Sequence, residues 1–282
     1  MPQITQVYTD RFIIFIQMRL LKYIFAIILL SSFVKDTKKP DHVIAVTGDR
    51  MITDNLGNVY LINKESITKY DHNGVMQKSF SNKRYGPITT ADASNPLRIT
   101  LFYRDFSRVL FLDNMMSQIG DEVKLDVLGF PMATAVSSSH DNGLWIFDQQ
   151  NDELVRFDRN MQVTSRSGNL NQSIGRNVNA AFLIEKGNWL MVSDTSSGIY
   201  VFDAFGSYSK LIPASDITTF QPDENAGFVR FVKSHLDYTS ITGDATTYIE
   251  PADSAALDMR IEKNAIYVLK KDTLKIYDRI NN

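Results

Sequence analysis

At 282 residues, 44% hydrophobic and 22% charged, the chain is long enough to bury a sizeable core, as one large all-β domain or two smaller ones. Its formal net charge of −2 excludes nucleic acid as the default partner, because phosphate binding needs a basic surface. The absence of cysteine excludes disulfides, thiolate catalysis and cysteine-ligated zinc together, and it agrees with export.

Residues 1–34 read as a targeting segment. Arg19 and Lys22 precede an apolar run from Tyr23 to Leu30 and then small residues, the layout of a bacterial export signal. Met18 is a candidate start, with residues 1–17 an upstream extension of the reading frame. Leu30-Ser-Ser-Phe33 has the outline of a lipoprotein box with phenylalanine where the lipid-bearing cysteine belongs, so no lipid anchor can form there. No good Ala-x-Ala precedes Lys35, which leaves a cleaved signal and an uncleaved membrane tether both open, beside a buried helix packed on the domain. A spanning helix needs about 20 apolar residues, and Arg19 and Lys22 interrupt any longer window. Residues 35–41 form a polar linker. The expectation is an exported, periplasmic or envelope-associated protein, a monomeric domain that touches the membrane only through this segment.

Strand signals begin at His42-Val-Ile-Ala-Val-Thr47, ahead of the first repeat. Asp54-Asn-Leu-Gly57 is a turn in which Gly57 takes positive φ, and Asn58 to Ile62 continues as a strand. Ile67 to Tyr70 comes next, then a turn at Asp71-His-Asn-Gly74 and an edge strand from Val75 to Phe80. The third strand and its closing Asp recur as Ile67–Asp71, Val109–Asp113, Leu154–Asp158, Ile199–Asp203 and Leu274–Asp278. The Asp positions are separated by 42, 45, 45 and 75 residues, and a degenerate copy, Leu236-Asp-Tyr-Thr239, divides the last interval into 36 and 39. A period of about 40 to 45 residues with strand-like content marks a propeller blade. The predicted fold class is all-β: a six-bladed β-propeller of four-stranded antiparallel blades over residues 42–282, each an inner strand followed by a three-stranded meander.

Asp141–Phe147, Gly187–Val192 and Asn264–Leu269 repeat the second strand in other units, and the third-strand Asp residues read as turn caps. The sixth unit lacks an outer strand, and residues 42–47 are spare; together they complete one blade, or the spare strand is instead the inner strand of unit one. In the degenerate fifth unit Phe228–Val232 is a good strand, whereas Thr246–Ile249 is a weak signal that leaves the completeness of the blade open.

The pattern Asp54-x-x-Gly57-Asn58-Val59-Tyr60 resembles the strand signature of NHL, streptogramin-lyase-like and TolB-like six-bladed propellers. Residues 81–86, 142–158 and 165–171 are similar to a group of exported propellers of Gram-negative envelopes, to which no reaction is assigned. The resemblance spans nearly all of residues 43–279 and is weakest over 221–258. It implies fold and compartment, and it transfers no catalytic residue.

Enzymatic signatures mostly fail. His42, His72, His140 and His235 are scattered among units without metal-binding spacing. Ser139-His140-Asp141 has no serine elbow around it, and adjacent turn residues point apart. The same stretch falls short of a sialidase Asp-box, because Trp145 comes one residue early and the threonine is missing. Asp121-Glu122 and Asp152-Glu153 are local acidic runs, and no Walker or dinucleotide motif occurs.

In a propeller the loops joining second to third strands, and those passing between blades, emerge on one face. That face receives Lys83, Arg84 and Tyr85; Tyr103, Arg104, Asp105 and Phe106; Gln149, Gln150 and Asn151; and Arg166, Asn169 and Asn171 with Arg176. Arginine and aromatic groups are enriched at binding hot spots. The expected function is therefore a non-catalytic binding or scaffold module for a protein, peptide or envelope component, with no cofactor. The alternative is a metal-dependent lactonase-like or lyase-like propeller using Ca²⁺ or another divalent ion, with Asp105, Asn151, Asp152, Asn169 and Asn171 as candidate oxygen ligands. A carbohydrate reading would use Tyr85, Tyr103 and Phe106 as stacking platforms.

Overall fold

The computed structural model describes residues 39–223, 227–242, 246–263 and 265–278, so the targeting segment read at 1–34 lies outside the described residues. Among the described residues, strands β1 to β24 form six four-stranded antiparallel sheets. Blade one is β2 (Arg50–Thr53), β3 (Val59–Asn63), β4 (Ser66–Tyr70) and β5 (Met76–Ser81). Blade two is β6 (Thr90–Asp92), β7 (Ile99–Tyr103), β8 (Arg108–Leu112) and β9 (Val123–Lys124). Blade three is β10 (Ala133–Ser138), β11 (Leu144–Asp148), β12 (Glu153–Phe157) and β13 (Val163–Arg166). Blade four is β14 (Ala180–Lys186), β15 (Trp189–Asp194), β16 (Gly198–Asp203) and β17 (Tyr208–Pro213). Blade five, the degenerate unit, is complete: β18 (Gln221–Asp223), β19 (Gly227–Val232), β20 (His235–Ser240) and β21 (Thr246–Ile249).

Blade six joins the two ends of the propeller. Its first three strands are β22 (Asp258–Glu262), β23 (Ala265–Leu269) and β24 (Thr273–Asp278), and its outer strand is β1 (His42–Ala45). The register runs from His42 opposite Ile276 to Ala45 opposite Thr273. Of the two sequence readings of this strand, closure is the one observed; the inner strand of blade one is the separate β2.

Second strands such as Leu144-Trp-Ile-Phe-Asp148 are buried along their whole length, because each is covered on both sides by neighbouring blades. This explains their near-continuous apolar runs, whereas the outermost β5 (Met-Gln-Lys-Ser-Phe-Ser) is mostly exposed. Among the described residues the core is correspondingly split into six clusters, each between adjacent blades. Tyr60 and Ile67 of blade one pack with Leu101 and Leu110 of blade two, and Met51 and Leu61 of blade one pack with Tyr267 and Ile276 of blade six.

The repeated Asp is a turn cap, as its spacing predicts. Asp71 Oδ1 accepts from Asn73 N and Val75 N, both at 2.9 Å. Asp113, Asp158 and Asp203 accept from the same two positions, at 2.8 to 2.9 Å. The fourth residue of each turn takes positive φ, Gly74 at 79° and Gly206 at 88°, but Met116 at 61° and Met161 at 60°. In blade six the Asp278 N–H donates to Asp41 Oδ2 at 2.8 Å, a bond that ties the end of β24 to the start of the closing strand.

Candidate functional site

The loop face gathers the nominated residues into two clusters. At the junction of blades one and two, a 3-10 turn over Lys83–Tyr85 is capped by Asn82, whose side chain accepts from Arg84 N at 2.9 Å. A second 3-10 turn, Arg104–Phe106, ends at Ser107 in the left-handed region. Tyr85 packs edge-on against Tyr103, with ring centroids 5.6 Å apart, and tilts against Phe106 at 5.8 Å. Its hydroxyl donates to the Glu122 carboxylate. That hydrogen bond, followed by Arg84, Lys124 and Arg108, holds the Glu122 carboxyl below the usual carboxylate range.

Burial corrects part of the sequence reading. Tyr85 is 5% exposed and Tyr103 is fully buried, so both support the loops rather than touch a partner, and the carbohydrate platform is not formed. Burial also pushes the Tyr103 phenol up. Lys83, Arg104 and Asp105 remain exposed, Phe106 is 50% exposed, and the Arg84 side chain is 73% exposed beside Glu122 at 3.9 Å. Arg104 is anchored by its backbone N–H on Thr89 Oγ1 at 2.9 Å and by Nη2 on the Thr134 carbonyl.

The second cluster lies between blades three and four. Asn151 Nδ2 donates to Asp148 Oδ2 at 2.7 Å, and its carbonyl accepts from Asn169 Nδ2 at 2.7 Å. Asn169 caps the short helix α1 (Leu170–Ile174), accepting from Gln172 N at 3.0 Å. Gln150 and Asn171 are exposed, while Gln149 donates to the Val178 carbonyl at 3.1 Å. Arg166 pairs with Glu153 and lies 5.4 Å from the Phe130 ring centroid.

What joins the clusters is residues 125–132, between β9 and β10, which the sequence reading does not nominate. Val127 is 75% exposed, and Leu128 and Met132 are exposed as well. Arg108 Nη1 ties this segment to Phe106 by donating to the Phe106 carbonyl at 2.8 Å and to Asp126 Oδ1 at 2.5 Å. Gln149 N donates to the Met132 carbonyl at 3.2 Å and completes the bridge to blade three. A signal for it exists in the chain: four apolar residues in Val127-Leu-Gly-Phe-Pro-Met132, where an exposed connection is normally polar.

Of the candidate oxygen ligands, Asp105 belongs to the first cluster, whereas Asn151, Asp152, Asn169 and Asn171 belong to the second, where Asn169 Nδ2 donates to the Asn151 carbonyl and Leu170 N to the Asp152 carbonyl. Among the described residues no three His, Asp or Glu side chains gather to hold a metal. Asp152 is nonetheless unusual: it has φ 51°, is 6% exposed, and has Oδ2 without a partner while Oδ1 accepts from Val178 N at 3.2 Å. Burial raises its carboxyl. A carboxyl whose folded pKa exceeds its unfolded value destabilises the fold above that pH range, and the penalty fades as pH falls through the folded value. Asp152→Asn is therefore expected to be more stable than wild type at pH 7, with the gap closing toward pH 4, in melting curves taken across that range. A pH-independent gap would refute this.

On the opposite face, His140 faces Glu185 rather than a serine. His140 Nδ1 meets the Glu185 carboxylate, whose other oxygen accepts from Trp145 Nε1 at 2.6 Å. Ser139 Oγ accepts from Arg156 Nε at 2.9 Å, and Asp141 pairs with Arg156 Nη2 at 2.9 Å. The local Ser-His-Asp run is thus a structural turn.

The central channel holds a cavity of about 120 Å³ lined by the inner strands of blades one, two, four, five and six. Arg260 Nε donates to the Met51 carbonyl at 3.1 Å and Nη2 to Thr219 Oγ1 at 3.2 Å, while Asp258 Oδ2 accepts from Met51 N at 3.0 Å. Gln221 Nε2 donates to Glu262 Oε2 at 3.2 Å, and Thr53 Oγ1 lies 3.5 Å from the same oxygen. Arg50 Nη2 donates to the Ile88 carbonyl.

No protein-family model matches the chain, and no curated protein does. Solved structures with the same fold include virginiamycin B lyase from Staphylococcus aureus, at TM-score 0.59 and 9% identity over 84% of this chain and 98% of that one. A streptogramin B lyase matches at TM-score 0.56 and 11% identity, over 86% and 88%. The Pan2 WD40 domain of Neurospora crassa matches at TM-score 0.58 and 8% identity, over 86% and 96%. At these identities the likeness is one of fold alone, an all-β propeller.

Proposed function

We propose that this propeller is a binding module that captures a partner protein through a segment carrying acidic and apolar side chains. The supporting observation is the exposure of Phe106, Val127, Leu128 and Met132 on one face, flanked by the exposed cations Lys83, Arg84 and Arg104. Exposed apolar groups clustered beside arginines match the composition of interface centres, and a rigid ring holds them without loss of backbone freedom on binding. The basic and apolar start at residues 18–30 supports export to the periplasm or envelope as part of this reading. A propeller scaffold serves binding modules and lyases alike, so the assignment rests on this patch and not on the fold.

The full chain, immobilised and exposed to envelope extract, tests the proposal by quantitative mass spectrometry. Arg84→Glu combined with Val127→Asp is expected to reduce capture of a specific partner by about tenfold or more, with melting temperature held within roughly 2 °C. Leu97→Asp, on the opposite face, is expected to leave capture unchanged. Equal capture by all three proteins overturns the assignment.

A further inference from the structure

We propose that the central channel is a separate binding site for a small monocarboxylic acid with an apolar body, its carboxylate held by Arg50. The inner strand β2 carries Arg50 and Ile52 into the cavity, while Met51 between them is fully buried against blade six. The other charged groups of the lining are engaged. Arg260 has the Met51 carbonyl and Thr219 at 3.1 and 3.2 Å, with Asp258 at 3.6 Å. Asp92 accepts from Ser94 N and Ser138 N, both at 2.8 Å, and Glu262 accepts from Gln221 at 3.2 Å.

Arg50 is different. Among the described residues its guanidinium has one hydrogen bond, to the Ile88 carbonyl, and no carboxylate within ion-pair distance. Burial pulls its pKa below the ordinary arginine value, and the more distant carboxylates of Asp49 and Asp258 offset this only in part. A guanidinium partly withdrawn from water without a carboxylate in contact is costly, and its planar fork matches a carboxylate. A second observation points to the same end of the cavity. Thr90, two residues beyond Ile88, also lines the cavity, is buried, and has a hydroxyl with no hydrogen-bond partner. That hydroxyl lies just beneath the cavity surface, and a turn about χ1 brings it into the cavity to share the carboxylate with Arg50.

The remaining wall sets the body of the ligand. Ile52 lies two positions beyond Arg50 on the same strand face, about 7 Å along the strand, and Ile184 of blade four lines the cavity as well. A chain or ring of about six carbons spans that distance. Asp92 and Glu262 in the lining disfavour a dianion, so phosphate and dicarboxylates are poor ligands.

Titration calorimetry of the full chain with sodium hexanoate and sodium benzoate tests the site, with hexylamine and inorganic phosphate as controls. At least one acid is expected to bind saturably at one site, and the controls not at all. Arg50→Met is expected to weaken binding about tenfold or more, and the near-isosteric Thr90→Val about fivefold, in proteins with unchanged melting curves. If Arg50→Met does not fold, Thr90→Val alone decides. The site is overturned if neither acid binds the wild type at about 10 mM. It is equally overturned if hexylamine binds as well as hexanoate, or if both variants bind as tightly as wild type.

Discussion

Deleting residues 1–45, and with them β1, is expected to lower the stability of the propeller by about 4 kcal/mol, a fall of roughly 10 °C in melting temperature. β1 is the outer strand of blade six and the one that closes the ring. It pairs over four residues, at about 1 kcal/mol per ladder hydrogen bond, and buries part of Ile44. Ile44 packs so closely against the hairpin of blade one that a Cβ added at Gly74 would sit 2.3 Å from its Cδ1. Removing the strand exposes the backbone edge of β24 and uncovers that hairpin together. An open edge is also a template for association, so the truncated protein is expected to elute as oligomers, and a peptide of residues 39–47 added in excess should restore both melting temperature and monomer. A truncated chain that melts within about 2 °C of wild type and stays monomeric would show that the ring does not depend on this strand.

Trp145→Phe carries the second large effect, an expected loss of about 3 kcal/mol. Trp145 is the largest fully buried side chain, and its indole N–H donates at 2.6 Å to Glu185, whose side chain is 3% exposed. The smaller ring leaves a void worth about 1 kcal/mol, and the lost donor leaves a buried carboxylate oxygen unpaired, worth about 2 kcal/mol more. Glu185→Gln keeps an acceptor for the indole and should cost about 1 kcal/mol. Denaturant titrations of the two single variants measure both losses. A Trp145→Phe loss no larger than the roughly 1 kcal/mol of the void would mean that the hydrogen bond contributes nothing beyond packing.

These two contacts differ in how they show in the chain. Trp145 is legible as a second-strand residue from its apolar run. Glu185, which holds it, carries no signal, because it lies 40 positions away on the next blade. The loop face divides in the same way. The connections that hold Lys83–Tyr85 and Tyr103–Phe106 follow from strand phase alone, since alternate loops of a propeller emerge on the same side. Which of those residues reach solvent does not: Tyr85 and Tyr103 are covered by each other, by Phe106 and by the Glu122 hydrogen bond. The exposed segment at Val127–Met132 escapes a reading that looks for aromatic and basic residues in loops, because a short aliphatic run has the composition of a strand.

The sequence by itself determined the features that depend on neighbours a few residues apart. It carried the blade period, the six units, and the Asp caps whose carboxylates bond N–H groups two and four residues on. It also carried the contrast between the continuous apolar runs of covered second strands and the polar outer ones. Only the tertiary structure decided that β1 belongs to blade six, that two tyrosines of the loop face are buried, that Trp145 and Glu185 meet, and that Arg50 lines a channel with one hydrogen bond. Each of these is a contact between blades, between residues tens to hundreds of positions apart. Local hydrogen bonding and side-chain period repeat along the chain and can be read from it, whereas the angle and spacing at which one blade stacks on the next leave no periodic mark.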